Sequence, residues 1–209
     1  MRPLLQTLES PFWPNAESRQ KDRDLKREAA LRTAAQLFVE RGVHRTTLSD
    51  VAERLNITKP ALYYYFKNKN EIVLGCYQLG AGLTAAALDA AEVNCKTGAE
   101  KARAYIRAYL EVLTISVGTN VTLLDDRDLD PEQRAQIKDL RRGLQNRLRS
   151  YLREGMADGS LRVSDVTIIA NTIGGAINGL SLWYHADGAL SAEAIIDKMS
   201  DYLMQPLLP

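Results

Sequence analysis

The sequence predicts an all-α fold: a small N-terminal three-helix domain containing a helix-turn-helix, followed by a bundle of longer helices. Three observations carry this. Residues 46–69 hold two short amphipathic helices joined by a tight turn. From Asn70 onward the apolar period is helical throughout, over 70–94, 98–117, 131–158, 164–186 and 191–204, with a shorter helix around 119–125. No segment shows the alternation of a half-buried strand.

Residues 1–20 contain Pro3, Pro11 and Pro14 and no helical period, and are read as a mobile extension. Arg19, Lys21, Arg23, Lys26 and Arg27 lead into the first helix. They suit a basic arm along a phosphate backbone, and equally a solvated helix start with Asp22 and Asp24 interleaved. Gly42 ends that helix. In the next, Leu48, Val51, Ala52 and Leu55 form one apolar stripe. Thr46 or Thr47 caps it, and Asp50 sits near the positive end of its dipole. Asn56 tolerates the left-handed conformation of a sharp exit, and Ile57 anchors the turn. Thr58 caps the following helix, with Pro60 in a first turn that has no use for its missing amide hydrogen. Leu62 and Phe66 face the core, which leaves Lys59, Ala61, Tyr63 and Tyr64 on other faces; Tyr65 is ambiguous. Asn68 and Glu71 resemble a capping box that opens another helix near Lys69.

Consecutive tyrosines suit an exposed reading surface better than the interior of so short a helix. A phenol reaches a phosphate with its hydroxyl and a thymine methyl with its ring, so this helix is expected in the DNA major groove. Charge agrees: residues 1–75 carry 13 Lys and Arg against 9 Asp and Glu, while the remainder carries 14 against 17.

The segment from about Leu25 to Gly80 resembles the N-terminal domain of TetR-family transcriptional regulators. The match lies in A-A-x-L-F-x-x-x-G at Ala34–Gly42, T-T-L-x-D-V-A at Thr46–Ala52 and L-Y-Y-Y-F-K-N-K at Leu62–Lys69. The resemblance implies DNA contacts from Thr46, Thr47, Thr58, Lys59, Pro60, Ala61, Tyr63, Tyr64, Tyr65 and Lys69. Ala61 stands where a small polar residue is common, which limits base reading there to an apolar contact. It also implies a division into an extension (1–20), a DNA-binding domain (21–70) and a domain for ligand binding and dimerisation (71–209). A two-fold dimer would place two recognition helices in successive major grooves, roughly 34–36 Å apart. In the family's usual logic, a ligand in the helical bundle shifts the helix starting near Asn70 and lowers affinity for the double-stranded operator.

In the second half, Asp125, Asp126, Asp128 and Asp130 lack the ligand alternation and glycine of a calcium loop, and read as a solvated connection ending at Pro131. Gly155 and Gly159 are expected to loosen the end of one helix, and Ser164 or Asp165 to cap the next. That next helix combines an apolar stripe with Gly174, Gly175 and Gly179, each costing about 1 kcal/mol relative to alanine. Close approach of another backbone is a reason for them. With the helix at 191–204 it is expected to form a four-helix interface with a second copy, using Gly174, Gly175, Ile177 and Trp183. Tyr105, Tyr109, Thr114, Asn178 and Trp183 are candidate ligand-binding residues, polar or amphipathic groups in otherwise apolar helices.

Residues 123–192, with L-L-D-D-R-D-L-D-P-E-Q-R and W-Y-H-A-D-G-A-L-S, more loosely resemble the branch of the family that responds to acyl-CoA thioesters. Arg127, Arg141, Arg142, Arg147 and Arg149 are candidates for a CoA phosphate, or a solvated helix face. The expected function is therefore an operator-bound repressor released by a small molecule such as an acyl-CoA. The alternative is a DNA-bound protein of the same type controlled by a protein partner.

Composition bounds other classes. With 45% hydrophobic and 25% charged residues the chain suits a soluble globular protein. No residue run reads as apolar for long enough to span a bilayer and no signal peptide is evident, so a cytoplasmic protein is expected. Cys76 and Cys95 lack metal or redox spacing, and only two histidines are present. No metal, cofactor or enzymatic chemistry is expected: there is no Glu-x-x-His pair, no phosphate loop and no nucleophile with a base beside it.

Overall fold

A computed structural model describes residues 16–115, 129–185 and 187–209. The helix expected around 119–125, Arg127, and Asp125, Asp126 and Asp128 lie outside the described residues. The described residues form eight α-helices and no strand: α1 (Ala16–Arg41), α2 (Leu48–Arg54), α3 (Lys59–Tyr63), α4 (Lys69–Glu92), α5 (Gly98–Ile115), α6 (Pro131–Ala157), α7 (Val166–Trp183) and α8 (Ala192–Met204), with a final 3-10 turn at Gln205–Leu207. α1 begins at Ala16, inside the segment expected to precede the fold. Pairs such as Lys21–Glu17 and Lys26–Asp22, four residues apart, line its exposed first turns.

The chain buries two apolar clusters, and α4 runs through both. The N-terminal one gathers Leu31, Leu37 and Phe38 of α1, Val51 and Ala52 of α2, Leu62 and Phe66, and Ile72, Val73, Cys76 and Tyr77 of α4. Leu129, just before α6, and Ile137, in its second turn, join it from the second half of the chain. The C-terminal cluster takes Leu88 from α4, then Ile106 and Leu110 of α5, Leu148 and Leu152 of α6, Ile173 and Ile177 of α7, and Ile195 and Met204 of α8. By length and composition α4 could cross a bilayer, contrary to the sequence expectation. Its apolar residues are instead spent on these two protein cores, against α1, α5 and α6.

Local chemistry sets most helix ends. Gly42 leaves α1 with φ 82°, its amide donating to Phe38 O at 2.8 Å. Asn56 closes the turn with φ 53°, as its residue type suggests. Ile57 is partly exposed, and its amide donates to Ala52 O at 3.0 Å across that turn. Asp130 and Gln133 form a capping box at α6, with Pro131 in the first turn. Asp165 rather than Ser164 caps α7, accepting from the amides of Thr167 and Ile168.

Two glycines answer to tertiary packing. A Cβ on Gly98 would stand 2.0 Å from Gly155 N and 2.4 Å from Gly155 Cα, so the start of α5 crosses the end of α6 backbone to backbone. The connection after α6 then serves as a cap for α5: Asp158 Oδ2 accepts from Gly98 N at 2.8 Å and Ser160 Oγ from Ala99 N at 3.0 Å. Gly155 therefore does not loosen α6 but makes room for this crossing and for the Leu161 side chain, whereas Gly159, at φ 77°, supplies the turn.

Candidate nucleic-acid interface and effector cavity

The helix pair α2–α3 is held by short-range polar bonds. Thr47 caps α2: its Oγ1 accepts from Asp50 N at 3.2 Å, while Asp50 Oδ2 accepts from Thr47 N at 2.7 Å. Thr47 Oγ1 also donates to Asp50 Oδ2 at 2.7 Å, and the bonds that the carboxyl accepts from the Thr47 hydroxyl and amide hold Asp50 below its ordinary pKa. Thr58 caps α3 by accepting from Ala61 N at 3.3 Å. Arg54 of α2 reaches Glu40 of α1 at 2.9 Å, an exposed pair that links the two helices and adds little stability.

With Leu62 and Phe66 buried, α3 turns Tyr63 and Tyr64 outward, 47% and 67% exposed. Lys59, Pro60 and Ala61 are exposed as well, as are the capping residues Thr47 and Thr58. Tyr65 is half-buried and meets the Tyr64 ring edge to face, with centroids 5.1 Å apart. Arg23 of α1 stands over the Tyr64 ring at 5.3 Å, which orients that phenol from behind.

Two residues expected on this surface have other duties. Thr46 is 1% exposed; its hydroxyl donates to Gly42 O at 2.9 Å and to Leu37 O at 3.3 Å, so it closes the end of α1 and is not presented to DNA. The half-buried Lys69 donates from Nζ to Val43 O at 2.9 Å and to Thr46 O at 3.4 Å, pinning the α1–α2 loop instead of reaching into a groove. Both corrections have one cause. The loop leaves backbone carbonyls without helical partners, and nearby donors satisfy them.

A cavity of about 460 Å³ lies between α5, α6 and α7. Its wall holds Tyr105 and Tyr109 from α5, Arg141, Leu144, Gln145 and Leu148 from α6, and Ala170, Asn171, Gly174, Gly175 and Asn178 from α7. Burial raises the pKa of both tyrosines, so they remain neutral phenols able to donate or accept. Their rings meet edge to face at 5.9 Å. Gln145 donates to Asn171 across the cavity from α6 to α7. Arg141 and Gln145 also line an adjoining groove of about 510 Å³, whose other walls are Arg134, Lys138, Arg142, Asn146 and Arg149. An amphipathic space thus opens onto a cationic helix face.

Of the sequence candidates for a ligand, Tyr105, Tyr109 and Asn178 come together on this wall. Thr114 does not: its hydroxyl donates to Leu110 O and Glu111 O within its own helix. Trp183 is 51% exposed at the end of α7 and stands off the wall. Of the interface candidates, Ile177 is buried in the chain's own core, leaving nothing of it for a second copy. A Cβ on Gly174, Gly175 or Gly179 would meet nothing within 4 Å, so no contact inside this chain requires them to be small. Residues missed from sequence are Gln145 and Asn171, while Arg141, read there as a candidate for a CoA phosphate, also lines this wall. A signal existed in α7, where Asn171, Gly174, Gly175 and Asn178 repeat at i, i+3, i+4 and i+7, a polar and small stripe beside the apolar one.

Arg147 serves neither space. It bonds Asp89 at 2.7 Å and Glu92 at 2.8 Å on α4, and its Nε donates to the Tyr151 hydroxyl at 2.5 Å. Tyr151 in turn donates to Glu92, and its own pKa is pushed up to about 12, chiefly by burial. The network clamps α6 to the second half of α4. Cys76 is pushed up to about 12 by burial and is inert as a thiolate, its Sγ donating to Leu31 O. Among the described residues no group of three or more metal-binding side chains occurs.

Comparison with known proteins places both halves. Residues 30–76 match the family model described as bacterial regulatory proteins, tetR family. Residues 95–207, more than half of the chain, match that described as tetracyclin repressor-like, C-terminal domain. The HTH-type transcriptional activator FasR of Mycolicibacterium smegmatis is 26% identical over 129 residues, 61% of this chain and 59% of that protein. The fatty acid metabolism regulator protein of Bacillus subtilis is 24% identical over 174 residues, covering 82% of this chain and 90% of that one. The structure of AibR in complex with isovaleryl coenzyme A and operator DNA superposes with a TM-score of 0.77 at 25% identity, covering 86% of this chain and 98% of AibR. With a helix-turn-helix that turns Tyr63 and Tyr64 outward and a cavity set in the helices behind it, the chain belongs to the TetR family of transcriptional regulators.

Proposed function

We propose that this chain is a homodimeric repressor, released from its operator by an amphipathic anion of the acyl-CoA class. The observation that carries the ligand class is the shared wall of Arg141 and Gln145. Through it, a cavity with tyrosines and leucines adjoins a groove lined by Arg134, Lys138, Arg142 and Arg149. An acyl chain with its thioester suits the first space and a phosphorylated head the second. The names of two relatives support the choice, one a fatty acid metabolism regulator and one seen with isovaleryl coenzyme A. Of the five arginines considered from sequence, Arg141, Arg142 and Arg149 line the groove, while Arg147 is committed to the clamp.

In this reading Thr47, Thr58, Lys59, Pro60, Ala61, Tyr63, Tyr64 and Tyr65 meet DNA, the polar groups on phosphates and the Tyr63 and Tyr64 rings at base edges. Thr46 and Lys69 hold the loop that aims them. A second copy covers the outer face of α7 and α8, where Ile168, Leu182 and Tyr202 are 63%, 72% and 72% exposed and Gly175 and Gly179 permit close approach. Fluorescence anisotropy against DNA from the protein's own upstream region, at two salt concentrations and with a panel of acyl-CoA thioesters, tests the whole reading. Salt-sensitive, selective binding that one thioester abolishes is expected. Selective binding that none of them moves would remove the ligand class.

A further inference from the structure

We propose that Arg141 and Tyr77 form the latch through which an occupant of the cavity acts on the DNA-reading core; this rests on reading the chain as a ligand-controlled regulator. Arg141 stands where three spaces meet. It lines the tyrosine-walled cavity, the cationic groove, and a small apolar crevice between α4, α5 and α6 that also includes Tyr77 and Tyr109. Its Nη2 donates to the Tyr77 hydroxyl at 2.7 Å, and its guanidinium lies over the Tyr77 ring, 4.9 Å from the centroid.

Tyr77 belongs to the other side of the molecule. It is buried in the N-terminal cluster with Ile72, Val73 and Cys76, the same cluster that packs α2 and α3. One guanidinium therefore touches both the cavity and the core that carries the recognition helix. The Tyr77 bond is lost by competition: a carbonyl or anionic oxygen entering the cavity offers the same N–H groups a stronger acceptor than a phenol. The clamp of Arg147 on Asp89 and Glu92 holds α6 to the distal part of α4 and is off the cavity wall. With that bond lost, the N-terminal half of α4 keeps its apolar packing against Leu129 and Ile137 but gives up a directional tie to α6, and gains freedom at the end that carries the reading domain. A reading domain with more orientations gives up more entropy on docking, so the unlatched protein binds operator less tightly.

The test uses a duplex selected in vitro against the parent protein and compares parent, Tyr77→Phe, Arg141→Gln and the double variant. Tyr77→Phe keeps the buried ring and Arg141 is exposed, so both should fold; helical content and dimer mass verify it. Without any effector, each single variant should weaken operator binding about fivefold or more, the lower end of ordinary coupling between sites. The double variant should be no worse than either, because both remove one tie. Parent-like affinity in both singles, or losses that multiply in the double, overturns the latch. Isovaleryl-CoA and palmitoyl-CoA are then added. If one releases the parent, the Tyr77→Phe protein should still bind that thioester, yet the ratio of operator affinities with and without it should collapse towards one. Full release of a Tyr77→Phe protein overturns the latch as well. A parent indifferent to both thioesters, beside variants already weakened, upholds the latch and removes the acyl-CoA reading.

Discussion

The two cores of this chain are built to opposite standards. Around α2 and α3 the short elements are closed by local devices, Gly42 and Asn56 in left-handed turns, Thr47 and Thr58 as caps and Thr46 on the Gly42 carbonyl, to which Lys69 adds a longer-range bond at Val43 O. Around α5 to α7 the helices are long, cross through glycine, and leave a cavity of about 460 Å³ behind their apolar face. The first arrangement holds a few side chains at fixed positions for a rigid lattice of phosphates. The second leaves part of its interior unpacked, which the proposed reading assigns to a ligand. α4 and α6 each contribute to both and join them.

That contrast can be broken at its strongest joint. Gly98→Val puts a side chain onto the backbone of Gly155, and overpacking there should cost about 3 kcal/mol or more, read by urea or thermal unfolding. A variant as stable as the parent would mean that α5 and α6 do not cross so closely. Gly175→Leu probes the opposite case, since nothing in the chain itself lies within 4 Å of its Cβ. It should fold and yet run as a monomer by light scattering. A dimeric Gly175→Leu protein would remove this glycine from the interface and leave it to the cavity alone.

Smaller changes sharpen the N-terminal side. Lys69→Met strips the charged donor from Val43 O and Thr46 O, and should cost about 1.5 kcal/mol of stability together with operator affinity. Loss of affinity with unchanged stability would instead return Lys69 to the DNA surface. Tyr64→Ala should do what Lys69→Met does not: lower operator affinity about tenfold while leaving unfolding within about 0.5 kcal/mol of the parent. Parent-like binding by that variant would take Tyr64 off the reading surface.

The N-terminal motif was legible because its information is short-range. The stripe of Leu48, Val51, Ala52 and Leu55, the caps at Thr47 and Thr58, Pro60 and the exit at Asn56 each act within a few residues of their own position. Thr46 failed as a contact for the same reason. Adjacent threonines look alike in sequence, and only the position of Leu37 O and Gly42 O assigns one to the interior and the other to the cap.

By itself the sequence determined an all-α chain, the ends of most helices, the recognition motif, and tyrosines 105 and 109 as polar groups in an apolar helix, because helical period and capping are properties of neighbouring residues. Tertiary structure alone decided that Ile177 belongs to the chain's own core, that Gly98 meets Gly155, that Lys69 holds a loop, and that Arg141 joins the cavity to Tyr77. Each of these depends on segments 20 to 100 residues apart being brought within a few ångströms, and no local periodicity encodes which long side chain will find which distant acceptor.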